Sequence, residues 1–138
     1  YANSGMRSAF MDIYLGAKCT FCISAESGFE KVPAIFRKPL VYRQMPLAYM
    51  FTSYQKDLII VKHHINKKNK KKMTMSEIFS SNTAMALTSA EFKKNEVELE
   101  ENSSEEIKDV AIEMDERLKG NWKETEEDVQ TEKILVYF

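Results

Sequence analysis

Apolar residues recur at Met6, Phe10, Ile13, Tyr14 and Ala17, one face of a helical repeat. That stripe predicts a helix over 6–17, with Ser4 as a candidate cap and Gly16 as a point where it loosens or ends. The run CTFCIS, 19–24, is apolar, short and bounded by turn residues, which predicts a buried strand. Residues 28–37 predict a helix. Pro33 is tolerated only in a first turn, so that helix starts later than Ser27 or is kinked. PLVY, 39–42, predicts the next strand. Strand, helix and strand in such a short span predict a parallel βαβ unit.

Downstream, 43–57 carries Gln44, Pro46 and mixed aromatics and reads as a long loop. DLIIVKHH, 57–64, predicts a third strand. NKKNKKK, 66–72, is a solvated basic run. TMSEIF, 74–79, predicts a short helix capped by Thr74 or Ser76. EVELEE, 96–101, alternates Val97 and Leu99 with charges, the pattern of an exposed or edge strand. The strongest periodicity lies at 104–119, where Ile107, Val110, Ala111, Met114 and Leu118 form one stripe. Ser103 and Glu106 have capping-box spacing, and Gly120 is a stop signal. Residues 122–137 predict a last helix that starts near Trp122 and ends in the apolar ILVYF. The order of elements predicts an α/β fold with a parallel sheet and flanking helices, without internal repeats.

Composition adds limits. The 138 residues suit one domain, and 43% hydrophobic content supports a core. A net charge of -1 with 30% charged residues gives no global field toward nucleic acid or membrane. Two cysteines make no disulfide framework, and no apolar run approaches the ~20 residues of a membrane span. The plain reading is a soluble cytoplasmic protein. The chain opens on YANSGMRSAF, without Met, and reads as a fragment of something longer.

The candidate chemistry sits where the first strand hands over to a helix. Ser24 ends the strand, and Ser27 and Gly28 precede the helix. Free backbone N–H groups at a helix start, with two hydroxyls and a glycine that lets a ligand approach, suit a phosphate. The same residues also fit an ordinary N-cap at Ser27 and a turn at Gly28.

FMDIYLGAKCTFCIS, then SGF, FRKPLVY, MPLAYM, LIIVKHH, SEIF and SEEIKDVAIEMDERLKGNWKETEED, resembles a family of bacterial glycosyltransferases linked to surface polysaccharide synthesis. More distantly the chain resembles the donor half of GT-B glycosyltransferases and nucleotide-sugar epimerases. The resemblance implies a Rossmann-like three-layer parallel sheet with flanking helices, one half of a GT-B fold. Residues 1–138 would be a single C-terminal domain that binds a nucleotide-sugar donor, lacking its N-terminal acceptor domain. It implies diphosphate contacts from Ser24, Ser27, Gly28 and Phe29, with Tyr1, Ser4, Arg7 and Glu30 near the nucleotide. Arg7 is equally a solvated helix residue. The implied partners are a nucleotide-sugar donor, a glycan or lipid-linked acceptor and the missing domain. Nucleic acid is not implied, and weak association with the inner membrane surface is. The implied transfer needs no metal and no cofactor, takes its general base from the missing half, and leaves the fragment alone inactive.

The chain departs from these patterns in places. Ala9 stands where the family has an acidic residue. The seven-residue Glu spacing of retaining GT-B enzymes fails, since Glu26 leads to Ala34 and Glu30 to Lys38. Val32 and Pro33 stand where related epimerases carry a Glu pair, which leaves Glu30 as a substitute and weakens the epimerase alternative. A non-catalytic α/β interaction module is the third reading.

Other residues read as structural. Cys19 and Cys22, taken as strand residues, lie roughly 10 Å apart on opposite faces, beyond the ~7 Å limit for a disulfide. His63 and His64 face opposite ways on a strand; one of them can face a cleft, and the expected fate of the pair is solvent exposure. The methionines read as core filling, and Arg37 and Lys38 as cations at a helix C-terminus.

Overall fold

A computed structural model describes residues 1, 3–25, 28–45, 47 and 56–126. Helix α1 spans Ala9–Lys18, strand β1 Cys22–Ser24, helix α2 Lys31–Ile35, and strands β2 and β3 Leu40–Met45 and Leu58–Val61. Strand β4, His63–Asn66, is followed by helices α3, Met75–Ser80, and α4, Ser89–Lys94. Strand β5, Val97–Glu100, and helix α5, Ser104–Lys119, complete the described elements.

The βαβ expectation holds. β1 and β2 are parallel, with Cys22 opposite Leu40 and Ser24 opposite Tyr42, and β3 adds in parallel to β2. The predicted late start of α2 also holds: Glu30 is its N-cap, which puts Pro33 in the first turn. Leu40 and Val41 point to opposite faces of β2 and both are buried, so the sheet is covered on both sides. On one side Val41 packs with Val110 and Met114 of α5, joined by Phe21, Leu58, Ile60 and Leu118.

Helix α5 forms as its pattern predicts. The Ser103 hydroxyl accepts from Glu106 N–H, and the Glu106 carboxylate accepts from Ser103 N–H. Gly120, at φ 75°, ends the helix in the left-handed conformation. Identical capping boxes start α3, through Thr74 and Glu77, and α4, through Thr88 and Glu91.

Four expectations need correction. The 57–64 strand is two strands broken at Lys62, and β4 leaves the parallel sheet to pair antiparallel with β5. β5 is therefore not part of one continuous parallel sheet. Polar His63, Lys62 and the basic turn beyond them do not suit a strand buried on both faces. The first helix is capped by Ser8, not Ser4. Its apolar stripe faces outward: Phe10 is 71% exposed, and Ile13 and Tyr14 are exposed beside it. The buried residue is Gly16, because that is where α1 approaches α2; a Cβ there would lie 2.8 Å from Val32 Cγ1. Gly16 is thus a close-contact residue inside the helix, not its end. Finally, the expected last helix does not begin at Trp122: 121–125 are not helical, and Glu126 is the first helical residue after α5. The Asn121 and Trp122 N–H groups bond back to Glu116 O, and the Trp122 ring takes the Arg117 guanidinium at 5.2 Å. Most of the predicted 122–137 helix, ILVYF included, lies outside the described residues, as does most of the 43–57 loop. Among the described residues, no helix is long and apolar enough to cross a membrane.

Candidate functional site

Ser24 is the last residue of β1, so its side chain sits at the carboxyl edge of the parallel sheet. It is 6% exposed. Its hydroxyl donates to Glu30 Oε2 at 3.0 Å. Glu30 precedes α2 and is 3% exposed, an unusual burial for a carboxylate. Its other oxygen lies 3.7 Å from Lys31 Nζ. Burial pushes the Glu30 carboxyl up. Hydrogen bonding from its own backbone N–H, from Ser24 and from the Gly28 backbone, with Lys31 nearby, outweighs burial and holds the group below its ordinary range.

The carboxylate therefore takes the Ser24 hydroxyl, one of the donors that the sequence assigns to a phosphate. Gly28 has φ 90°, and a Cβ there would meet nothing within 4 Å. It permits the turn and leaves the backbone open to approach from outside. Phe29 is exposed next to it. Ser27, like Glu26, lies outside the described residues. Helix α2 has only 5 residues, so its dipole contributes little.

The N-terminal arm is built around the start of α1. The Tyr1 hydroxyl accepts from Ser8 N–H at 3.1 Å, and the Ser4 hydroxyl donates to Tyr1 O at 2.8 Å. Arg7 pairs with Asp12 at 3.1 Å. No hydrogen bond or ion pair among the described residues joins Tyr1, Ser4 or Arg7 to Ser24 or Glu30. The structure brings together Ser24, Gly28 and Glu30, and the bonds of Tyr1, Ser4 and Arg7 are local to the arm and the start of α1.

Cys19 caps the C-terminus of α1, and only Cys22 lies in the strand; both thiols are free. Burial, helped by Cys19 and Glu30, pushes the Cys22 thiol up, which makes it a poor nucleophile at neutral pH. Among the described residues, no three His, Cys, Asp or Glu side chains gather as a metal site.

A separate cavity of about 910 Å³ runs along β3 and β4 between α3 and α5. Ile60, His63, Met73, Ile78, Val110 and Arg117 line it, and Ser24, Gly28 and Glu30 do not. His63 Nε2 lies 2.9 Å from Glu106 Oε1, tying β4 to the first turn of α5. His64 is buried against Phe92, with Nδ1 2.9 Å from Lys62 O. The sequence marks His63 and His64 as a pair with opposite faces and solvent exposure as their fate; the structure instead buries His64 at 1% exposure. The partnership of Glu30 with Ser24 carries no signal beyond their separation of six positions across a turn.

Compared with known proteins, the chain matches no family model, no curated protein and no solved structure.

Proposed function

We propose that this chain is the donor-binding half of a GT-B-like glycosyltransferase, which holds a nucleotide-diphosphate sugar for transfer to a surface polysaccharide or related glycan. The observation that carries the reading is the buried Ser24–Glu30 pair at the carboxyl edge of the parallel sheet, beside open backbone at Gly28. Ligands of open α/β sheets bind at that edge. A buried carboxylate there is a hydrogen-bond acceptor matched to hydroxyls, which the ribose and the sugar of such a donor both present. On binding, Glu30 takes a ligand hydroxyl and releases Ser24 toward the diphosphate, which lies over the Gly28 backbone. As the glycosidic bond breaks, negative charge grows on the diphosphate, and these fixed donors stabilise it. The general base that takes the proton of the acceptor hydroxyl belongs to the acceptor-binding half.

One observation favours a second reading, a non-catalytic α/β interaction module. The Glu30 carboxylate already takes the Ser24 hydroxyl, so the pair is satisfied without a ligand.

Titration with UDP and with GDP, followed by amide chemical shifts, separates the two. The donor reading expects shifts centred on 22–30 and weaker binding by Ser24→Ala, Ser27→Ala and Gly28→Val variants that remain folded. A folded chain that responds to neither nucleotide sinks the donor reading and leaves the second.

A further inference from the structure

The cavity of about 910 Å³ between α3 and α5 takes no part in the donor-binding reading. Its volume lies in the range of about 300–1,000 Å³ usual for small-molecule sites. Strand β3 lines it with LIIV, four apolar residues that are all only half-buried. Met73, Met75 and Val110 extend the apolar wall.

Among the described residues, three buried side-chain atoms have no hydrogen-bond partner: His64 Nε2, Asn102 Oδ1 and Trp122 Nε1. All three residues line this one cavity. Buried polar atoms are almost always paired, so three orphans in the wall of one cavity point to a ligand. Their roles follow from their other bonds. His64 Nδ1 lies 2.9 Å from Lys62 O; a carbonyl only accepts, so Nδ1 carries the proton and Nε2 is an acceptor. Burial disfavours the charged ring. Asn102 Nδ2 donates to Val61 O at 3.1 Å, which leaves Oδ1 as a second acceptor. Both side chains are thus anchored at the break between β3 and β4, and Asn102 immediately precedes the N-cap of α5. Trp122 Nε1 is a donor and belongs to the other end of α5, where the Trp122 N–H bonds back to Glu116 O. The lining charges are matched in pairs: His63 with Glu106, Arg117 with Glu113, and Lys62 with Glu101. Among the described residues, Lys72 alone of the lining cations lacks a carboxylate partner, and it is exposed to solvent.

We infer that this cavity is a binding site for a neutral, elongated aromatic molecule with a hydroxyl group at each end. One hydroxyl donates to Asn102 or His64, and the other accepts from Trp122. The thioethers of Met73 and Met75 and the Trp122 ring favour an aromatic body between them. A charged ligand would have to break one of the ion pairs in the wall. The inference stands whether or not the donor-binding reading holds.

The test is titration of the whole chain with three probes: biphenyl with a hydroxyl on each para position, biphenyl itself, and biphenyl with a carboxylate on each para position. Trp122 is the chain's one tryptophan, so its indole N–H gives a single amide-type resonance that reports on the cavity. The diphenol is expected to shift that resonance saturably and to bind at least about tenfold more tightly than either other probe, since each hydrogen bond adds about three- to tenfold. By calorimetry, Asn102→Leu and Trp122→Phe are each expected to weaken the diphenol by about three- to tenfold and to leave biphenyl unchanged. Trp122→Phe keeps an aromatic ring and removes the N–H, so it carries the test if Asn102→Leu does not fold. No saturable shift, equal affinity for the diphenol and biphenyl, or tighter binding of the dicarboxylate overturns the inference. So do shifts centred on 22–30 in place of the cavity, or an affinity for the diphenol that the folded variants leave unchanged.

Discussion

Ser24 and Glu30, six positions apart, form a buried hydroxyl–carboxylate pair across the β1–α2 turn, 3.0 Å from Ser24 Oγ to Glu30 Oε2. Ser24→Ala removes a donor from a carboxylate that burial already disfavours. The expected cost is about 1–3 kcal/mol of unfolding free energy. The Glu30 carboxyl is held below its ordinary 4.5, so it contributes stability above that value and loses it as pH falls through the folded-state value. Ser24→Ala moves that folded value upward and makes the acid loss begin at higher pH. Urea unfolding of both proteins between neutral and acid pH measures the effect. Parallel pH profiles would separate Ser24 from the titration of Glu30.

Gly16 and Val32 hold α1 against α2. A methyl group at Gly16 would lie 2.8 Å from Val32 Cγ1 and 3.3 Å from Pro33 Cδ. Both neighbours are stiff, a β-branched side chain and a ring, so the helices must move apart. Overpacking of this kind costs about 1–3 kcal/mol, against a gain of about 1 kcal/mol from replacing a helical glycine by alanine. Gly16→Ala is expected to be net destabilising. In a Val32→Ala background the clash is relieved and the same substitution becomes neutral or stabilising. Thermal melts of the four proteins in this double-mutant cycle read the coupling, and additive shifts would mean that the contact does not limit the packing.

Local chemistry is what the residues announce most directly. Ser103 and Glu106 mark the start of α5 by spacing alone, and Gly120 marks its end. Thr88 and Glu91 carry the same signature, yet six residues give α4 too short a stretch for apolar periodicity to register. The βαβ unit is legible because apolar runs and turn residues alternate at the right lengths. Which face of a helix is buried is not. The stripe of Phe10, Ile13 and Tyr14 predicts α1, but the contact that orients α1 is made by a glycine, which hydrophobicity does not weigh. The break at Lys62 is hidden for a related reason: 58–61 and 63–66 are both strand, and only long-range pairing with Val97–Glu100 diverts the second half. At the candidate site, Ser24 and Gly28 are legible as turn chemistry. The position of the Glu30 carboxylate depends on how α2 begins, and no short motif encodes that.

Arg37 adopts φ 53° where α2 ends, and the N–H groups of Arg37 and Lys38 close the helix on Ala34 O and Pro33 O. A left-handed residue with a Cβ carries a conformational cost that glycine avoids. Arg37→Gly is expected to stabilise the fold by up to about 1 kcal/mol, part of it offset by the greater freedom of glycine in the unfolded chain. A rise of a few degrees in Tm is the expected readout, with Arg37→Ala near the parent. A drop in Arg37→Gly would show that the Arg37 side chain stabilises the fold by more than the backbone strain costs.

His64 sets the pH dependence on the other side of the molecule. It is 1% exposed, against Phe92, and Nδ1 is committed to Lys62 O. Nε2 is buried without a partner among the described residues. Burial pushes the imidazole below its ordinary 6.5; the Lys62 carbonyl opposes this and His63 adds to it. Below about 6.5 the unfolded chain therefore binds a proton that the folded chain refuses. Stability is fully present above that pH and falls beneath it, by at most about 1.4 kcal/mol per pH unit for this one group, until the folded-state value is reached. The depressed carboxyls of Glu30 and Glu106 add their losses only lower, beginning near 4.5. His64→Leu is expected to flatten the profile just below 6.5 and leave the carboxylate window in place. His63→Gln, at the chain's other histidine, serves as the control. Urea unfolding across both windows decides it: an unchanged slope in His64→Leu would place the neutral-to-acid loss elsewhere.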